Sequence, residues 1–249
     1  MTRRPLIAGN WKMFKTTKDA ADYISVFTSA ELDAEPEVAI LAPFTCLGVF
    51  ANLDSQRIVY GAQNIFWEKE GAFTGEISPL MLNDLGCTYV LIGHSERRQI
   101  MQETDEMINL KVKTAVIYKL KPMLCVGETL DERQQGQAEA VVGRQIELDL
   151  DGVDFNEDLV IAYEPVWAIG TGVNATAKDA QDMSDFIRRK LSEKYGAEPA
   201  AKIRILYGGS VKPENIAEFM QQKDVDGALV GGASLDPKSF ASIVNYSRQ

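Results

Sequence analysis

Short apolar runs recur along the chain, and a stretch with helical periodicity follows each of them. The runs are Leu6–Ala8, Glu37–Ala42, Ile58–Gly61, Tyr89–Gly93, Pro122–Val126, Leu159–Tyr163, Ile203–Tyr207 and Gly227–Val230. They are nearly continuous rather than alternating between apolar and polar residues, which is typical of parallel strands covered on both faces. The pattern therefore predicts an α/β protein in which strands and helices alternate.

The stretches between these runs carry helix signals. Apolar residues follow the spacing of one helix face at Ala180, Met183, Ile187 and Leu191, and again at Ile108, Val112 and Ala115. Capping patterns mark the starts of helices: an acid stands three residues after Thr16, Thr129 and Thr176, and a cap precedes proline at Ser78-Pro79 and Asp236-Pro237.

Eight strand–helix units in 249 residues predict a closed (β/α)₈ barrel, a TIM barrel, that forms one domain over residues 1–249. An open, doubly wound sheet is the structural alternative. No Gly-x-Gly-x-x-Gly follows the first run, which counts against a dinucleotide-binding version of that sheet. No linker, low-complexity tract or shift in composition marks a second domain.

The composition is that of an ordinary globular protein, with 45% apolar and 25% charged residues. It excludes disorder and a disulfide-stapled miniprotein. Asp and Glu number 36 against 26 Lys and Arg, which gives a formal net charge of −10. We therefore expect neither nucleic acid nor a membrane surface as a partner, and any anion site must be locally positive. The acid clusters at Asp149–Asp158 and Glu103–Glu106 are interpreted as solvated faces.

Cysteine usage and the N-terminus bear on location. Cys46, Cys87 and Cys125 are widely spaced and contain no Cys-x-x-Cys pair, so they indicate reduced thiols and no zinc site. The N-terminus lacks the apolar region of a signal peptide, and no apolar run approaches the ~18 residues of a membrane span. We expect a soluble, cytoplasmic protein.

In a (β/α)₈ barrel the active site lies at the carboxyl ends of the strands. Lys12 follows the first run, His94 the fourth and Glu164 the sixth. Each has a plainer interpretation: Lys12 as a solvated loop residue, His94 as a structural histidine, and Glu164 as an ion-pair partner. Their shared position at one rim instead favours an acid–base site, with Glu164 as general base. At a helix start, His94 is expected to be neutral, and Lys12 supplies positive potential.

Glycine pairs follow the last two runs, Gly208-Gly209 before Ser210 and Gly231-Gly232 before a short helix. They could simply form tight turns. At the ends of the final strands of a barrel, however, they favour a phosphate site made of backbone N–H groups.

Two loops are unusual. Residues 165–172 are apolar and glycine-hinged directly after Glu164, so they either pack on the rim or form a lid over the substrate. Residues 62–77 are long for a strand–helix connection and contain two apparently exposed aromatic residues, Phe66 and Trp67. Near the site, Arg97 and Arg98 are as consistent with structural ion pairs as with a role in the site.

These residues resemble the triosephosphate isomerase family over the whole chain and in the same order. The matching segments are Ala8–Met13, Gly71–Glu76, Tyr89–Arg98, Cys125–Glu128, Ala162–Gly172, Tyr207–Val211 and Leu229–Leu235. The resemblance implies an isomerase of glycolysis and gluconeogenesis that interconverts dihydroxyacetone phosphate and D-glyceraldehyde 3-phosphate through an enediolate, with neither metal nor organic cofactor.

The resemblance also implies a role for each site residue. Glu164 is similar to the base that moves the proton between C1 and C2, and His94 to the group that polarises the carbonyl. Asn10 and Lys12 would stabilise the enediolate, and Glu96 would orient the lysine. The backbone of Gly170, Ser210, Gly231 and Gly232 would hold the phosphate.

For assembly, the resemblance implies a homodimer in which loop 62–77 inserts into the neighbouring subunit. Thr74, near its tip, would reach toward the partner's site around Lys12.

Two other functions are weighed against the isomerase. An aldolase or lyase of similar fold would use Lys12 as a Schiff-base nucleophile, but no apolar pocket is evident around that residue. A non-catalytic phosphosugar-binding protein would be expected to have lost His94 or Glu164, and both are present.

Overall fold

Eight parallel strands close into a barrel, with helices on the outside. The structure is a computed structural model that describes residues 3–51, 53, 57–168 and 175–248. The strands are β1 (Leu6–Asn10), β2 (Glu37–Ala42), β3 (Ile58–Ala62), β4 (Tyr89–Ile92), β5 (Lys121–Val126), β6 (Val160–Tyr163), β7 (Arg204–Tyr207) and β8 (Gly227–Val230). Each pairs with its sequence neighbour, and β1 pairs with β8, so the predicted closed (β/α)₈ barrel is confirmed.

Helices connect the strands over the outer surface. They are α1 (Thr17–Thr28), α2 (Phe44–Phe50), α3 (Pro79–Asp84), α4 (Ser95–Gln99), α5 (Asp105–Ile117), α6 (Leu130–Gln134), α7 (Ala138–Asp149), α8 (Ala177–Tyr195), α9 (Ala197–Ala200), α10 (Ile216–Met220) and α11 (Pro237–Val244). Three 3₁₀ turns lie at Val166–Ala168, Gly232–Leu235 and Tyr246–Arg248.

The predicted helix starts are confirmed. Thr16, Thr129 and Thr176 each form a reciprocal capping box with the acid three residues later. Ser78 and Asp236 accept hydrogen bonds from the first turns of α3 and α11, and proline follows each of them. These side chains satisfy N–H groups that have no partner within the helix, so they fix where the helices begin.

Alternation along each strand divides the core into two layers. Leu6 and Ala8 of β1 belong to the cluster inside the barrel, whereas Ile7 packs in the layer between strands and helices. In β6, Val160 and Ala162 likewise point inward. Because the side-chain period of a strand is two, the residues that continue the inward series lie in the mouth of the barrel.

The strand boundaries differ from the predicted ones by at most two residues. The largest difference is at β1, which continues to Asn10 because Gly9 and Asn10 still pair with Ile40 and Leu41 of β2. At β4 the strand ends before Gly93, whose φ of 69° leaves the extended conformation.

The interpretation of the two acid clusters as solvated faces is wrong for Glu103 and Asp149, which are both buried. Glu103 pairs with Arg97 and Lys111, and Asp149 pairs with Arg98. A buried carboxylate requires such partners, and these come from other elements of the fold. Among the described residues, no helix combines the length and apolar character that crossing a membrane requires.

Candidate active site

A cavity of about 420 Å³ lies at the carboxyl ends of the strands. Asn10, Lys12, His94, Glu164, Gly208, Gly209, Ser210, Gly231 and Gly232 line it, among others. The cavity therefore brings together residues from the ends of β1, β4, β6, β7 and β8. Glu96 adjoins this set through its contact with Lys12.

Glu164 follows β6 and continues the inward series of that strand. Its side chain is 2% exposed, and each carboxylate oxygen has a donor. Oε1 lies 2.9 Å from Nε2 of His94, and Oε2 accepts from the backbone N–H of Ser95 at 2.9 Å. Burial raises the pKa of Glu164, but His94, the Ser95 N–H and the thiol of Cys125 lower it by more, so the pKa lies below its ordinary value. The carboxylate is held ready to accept a proton.

His94 is the N-cap of α4, and this position orients its ring. Nδ1 accepts a hydrogen bond from the backbone N–H of Glu96 at 3.3 Å, which leaves Nε2 to carry the proton toward Glu164. Burial lowers the pKa of His94, whereas the carboxylates of Glu164 and Glu96 together raise it by more, with Glu164 the larger influence. The part of this rise that comes from Glu164 would disappear if that carboxylate turned away, whereas Glu96, whose Oε2 lies 3.6 Å from Nδ1, would still raise the pKa. A neutral His94 stays a prediction.

Lys12 and Asn10 are held together at the end of β1. Lys12 has a φ of 51°, and its backbone N–H donates to Oδ1 of Asn10 at 3.0 Å. The ammonium lies 2.7 Å from Oε1 of Glu96, the contact expected from the resemblance. The amide of Gln63 donates to Oδ1 of Asn10 and to the carbonyl of Lys12. A left-handed backbone costs energy in a lysine, so these contacts hold a strained conformation that directs its side chain into the cavity.

The two glycine pairs also line the cavity, next to Glu164 and Lys12. A Cβ at Gly208 would lie 3.0 Å from Cγ of Glu164, so this glycine makes room for the carboxylate side chain. A Cβ at Gly232 would meet no atom within 4 Å, and a side chain there would enter open space. The predicted short helix after Gly231 is a 3₁₀ turn over Gly232–Leu235. Gly170 lies outside the described residues.

The predicted lid lies only partly within the described residues. Of residues 165–172, positions 169–172 fall outside them, so the lid stays a prediction. In the described part, the indole N–H of Trp167 donates to Oε1 of the buried Glu128 at 2.8 Å, and the hydroxyl of Tyr163 donates to the same oxygen. The beginning of this segment is therefore attached to the end of β5.

The long loop 62–77 is anchored at its base. Contrary to expectation, Phe66 and Trp67 are half-buried, and their rings stack at a centroid distance of 4.0 Å. The carbonyl of Trp67 accepts from the hydroxyl of Thr114 at 3.1 Å. Thr74, near the tip, is exposed.

Sequence reasoning missed three contributors to the site: the backbone N–H of Ser95, the thiol of Cys125 and the amide of Gln63. Cys125 could have been found from the period of two along β5, because Met123 and Cys125 both point inward. Gln63 gives no local signal, because its partners Asn10 and Lys12 lie about 50 residues earlier in the sequence.

Comparison with known proteins agrees with the geometry. The sequence model of the family described as Triosephosphate isomerase matches residues 5–247. A triosephosphate isomerase of Moorella thermoacetica is 57% identical over 99% of this chain and 100% of the relative. Those of Caldanaerobacter subterraneus subsp. tengcongensis and Dictyoglomus thermophilum are both 53% identical, over 98% and 97% of this chain and 100% and 99% of the relatives. The resemblance found in the sequence is confirmed.

Proposed function

The chain belongs to the triosephosphate isomerase family, and on that basis we propose that the cavity at the barrel mouth is its active site. The reaction is the interconversion of dihydroxyacetone phosphate and D-glyceraldehyde 3-phosphate by proton transfer through an enediolate. The observation that carries the assignment is the pairing of Glu164 with His94 at 2.9 Å on the wall of a cavity that Lys12 also lines.

Glu164 acts as the general base. Its two oxygens accept from His94 and the Ser95 N–H, and in the proposed mechanism the carboxylate turns from these donors toward the substrate carbon when it takes the proton. As it turns, it also removes the larger of the two carboxylate influences that raise the pKa of His94 and leaves that of Glu96. The neutral ring then donates its Nε2 proton to the substrate oxygen on which negative charge develops.

Lys12 and Asn10 stabilise that negative charge, with Glu96 as the partner that orients the lysine. The molecule carries a net charge of −10, so an anionic substrate needs a local cation. The ammonium of Lys12 meets this need at the cavity wall. The backbone of Ser210, Gly231 and Gly232, together with Gly170, holds the phosphate group.

A Schiff-base aldolase is the second candidate, and it is not favoured. The Lys12 ammonium faces the carboxylate of Glu96 at 2.7 Å, whereas a Schiff-base lysine requires an amine desolvated in an apolar pocket or placed beside another cation.

A coupled assay on the purified chain tests the reaction in both directions, with and without a chelator. We expect isomerisation at the same rate in both conditions and no substrate trapped on the protein by borohydride. Failure to isomerise either triose phosphate would contradict the assignment, and borohydride trapping at Lys12 would support the aldolase.

We propose that the enzyme works in the cytoplasm, in glycolysis and gluconeogenesis, as one domain over residues 1–249. We further propose a homodimer formed through loop 62–77. Exposed apolar side chains support this assembly: Met13, directly after Lys12, is 94% exposed, and Phe73 next to Thr74 is 44% exposed. In the dimer the tip of the loop would support Lys12 of the neighbouring subunit.

Replacing Thr74 with arginine tests the dimer. A two-fold axis places the new charge in the interface twice, and each buried unpaired charge costs on the order of several kcal/mol. We expect a shift toward monomers and lower activity, measured by sedimentation and parallel assays over a dilution series. Thr28→Arg, on the exposed face of α1, is the matched control. A Thr74→Arg variant that stays dimeric, or a wild-type protein that is monomeric and fully active, would refute the dimer.

A further inference from the structure

We propose that Arg98, held by an ion pair with Asp149, is a positioning residue for the reaction. Its side chain connects the ends of β4 and β5 next to His94 and Glu164. The inference rests on the proposed roles of His94 and Glu164. It concerns side chains outside the cavity, in the layer between the barrel and its helices.

The guanidinium of Arg98 donates to backbone atoms of both strand ends. Nε donates to the carbonyl of Gly93 at 2.8 Å, and Nη2 donates to the carbonyl of Cys125 at 2.9 Å. The pairing of β4 with β5 ends at Ile92 and Leu124, one residue before these carbonyls. Arg98 therefore continues the connection between the strands beyond the point where their own pairing stops.

The two residues that Arg98 connects lie next to the proposed catalytic residues. Gly93 is bonded to His94 in the chain, and the buried thiol of Cys125 helps to lower the pKa of the Glu164 carboxyl group. The next residue, Val126, accepts the backbone N–H of Glu164 at 2.8 Å. A displacement of one strand end relative to the other would change the distance between the imidazole and the carboxylate.

The local sequence makes room for this arrangement. Gly93 has a φ of 69°, and a Cβ at that position would lie 2.9 Å from Nη2 of Arg98. A larger residue would displace the guanidinium from the two carbonyls. Gly93 is thus required both by its backbone conformation and by the close approach of Arg98.

Two carboxylates hold the guanidinium from the other side. Nη2 lies 2.5 Å from Oδ2 of Asp149, which is fully buried, and Nη1 lies 2.8 Å from Oδ1 of Asp105. Arginine presents five donors spread over a rigid planar group, whereas a lysine has three donors on a single nitrogen. Asn109 of α5 donates to the backbone carbonyl of Asp149 and so fixes the end of α7.

The charge on Asp149 depends on its surroundings. Burial raises its pKa to about 7, while Arg98 of α4 and Arg144 of α7 lower it and Asp105 at the start of α5 raises it. Among the described residues, Oδ1 of Asp149 is buried without a hydrogen-bond partner. Protonation of Asp149 would weaken its hold on Arg98, so the positioning should be stronger above pH 7 than below it.

Asp149→Asn tests the proposal with little change in shape. We expect kcat for dihydroxyacetone phosphate to fall by about 10- to 100-fold with KM changed by less than about threefold, because the phosphate site lies on other strands. The pH profile of the wild-type kcat should also rise near pH 7, and Asp149→Asn should lack this step. The matched control is Glu37→Gln, which alters a largely buried carboxylate paired with Arg204 at the opposite end of the barrel. It should leave kcat and the step unchanged.

Arg98→Lys is the second variant, because it keeps the charge but cannot bridge both carbonyls. We expect a kcat at least as low as that of Asp149→Asn, and its assay decides the matter if Asp149→Asn does not fold. Kinetics of either folded variant that match those of Glu37→Gln would overturn the proposal. An inactive wild-type protein would instead refute the proposed function, so the two failures are distinguishable.

Discussion

The barrel buries ionisable side chains at both of its ends, in different arrangements. At the amino end, Arg204, Glu37 and Tyr89 form a closed triangle: Arg204 donates to the other two, and the tyrosine hydroxyl donates to the carboxylate. At the carboxyl end, Glu164 and His94 pair with each other but also line an open cavity. The first arrangement closes and stabilises the barrel, and the second leaves its groups within reach of a substrate.

Replacing glutamate with glutamine at each end, as Glu164→Gln and as Glu37→Gln, should separate these roles. The largest effect, a loss of kcat, is expected for the substitution at the mouth. Glu164→Gln removes the proposed proton acceptor while leaving the proposed phosphate site in place. We expect kcat to fall by ~10²–10⁴-fold or more, with little change in substrate binding. Steady-state kinetics and the affinity of a non-reacting phosphate ligand would measure both quantities. Near-native turnover would show that Glu164 is not the base.

Glu37→Gln is expected to act on stability instead. It leaves the largely buried guanidinium of Arg204 with a weaker partner, and losing one member of a fully buried ion pair costs about 3–5 kcal/mol. Both side chains are less than one-fifth exposed, so solvent screens the pair only partly. Denaturant unfolding should show this loss while kcat stays at the wild-type level. If kcat fell as steeply as in Glu164→Gln, the division between the two ends would be wrong.

A smaller effect is expected in the pH dependence of stability, where the two ends should differ in sign. Burial raises the pKa of Glu37, but Arg204 lowers it by more, so the pKa lies below its ordinary 4.5. Its contribution to the free energy of unfolding is therefore present above that value and lost as the pH falls through the folded pKa.

Asp149, behind the mouth, has a pKa raised from 3.8 to about 7. Its contribution is complete below about pH 3.8 and is lost as the pH rises through about 7. Unfolding experiments from acid to neutral pH on the wild type, Glu37→Gln and Asp149→Asn would measure both contributions as differences. Two differences that change in the same direction with pH would contradict this description.

Local patterns predicted most of the fold for physical reasons. A strand buried on both faces needs a continuous apolar run, and capping residues such as Thr16 and Thr129 satisfy N–H groups within their own first turn. Glu164 and His94 were predicted because each directly follows a buried strand, and parallel strands bring their carboxyl ends to one rim.

What the sequence did not predict depends on contacts between distant elements. Asp149 stands in an acidic run that resembles a solvated face, yet its partner Arg98 lies 51 residues earlier. The contacts of Gln63 with Asn10 and Lys12 also join residues that are far apart in the sequence. Charge pairing across helices has no period along the chain, so neither residue could be recognised before the barrel was assembled.

The central claim is that Glu164 moves a proton between two carbons of the substrate, and isotope exchange tests it most directly. Dihydroxyacetone phosphate would be incubated in D₂O with the wild type, Glu164→Gln or Glu37→Gln, and deuterium at C1 followed by NMR. We predict enzyme-dependent labelling with the wild type and Glu37→Gln, and none above the uncatalysed rate with Glu164→Gln. Labelling by Glu164→Gln at the wild-type rate would contradict the claim.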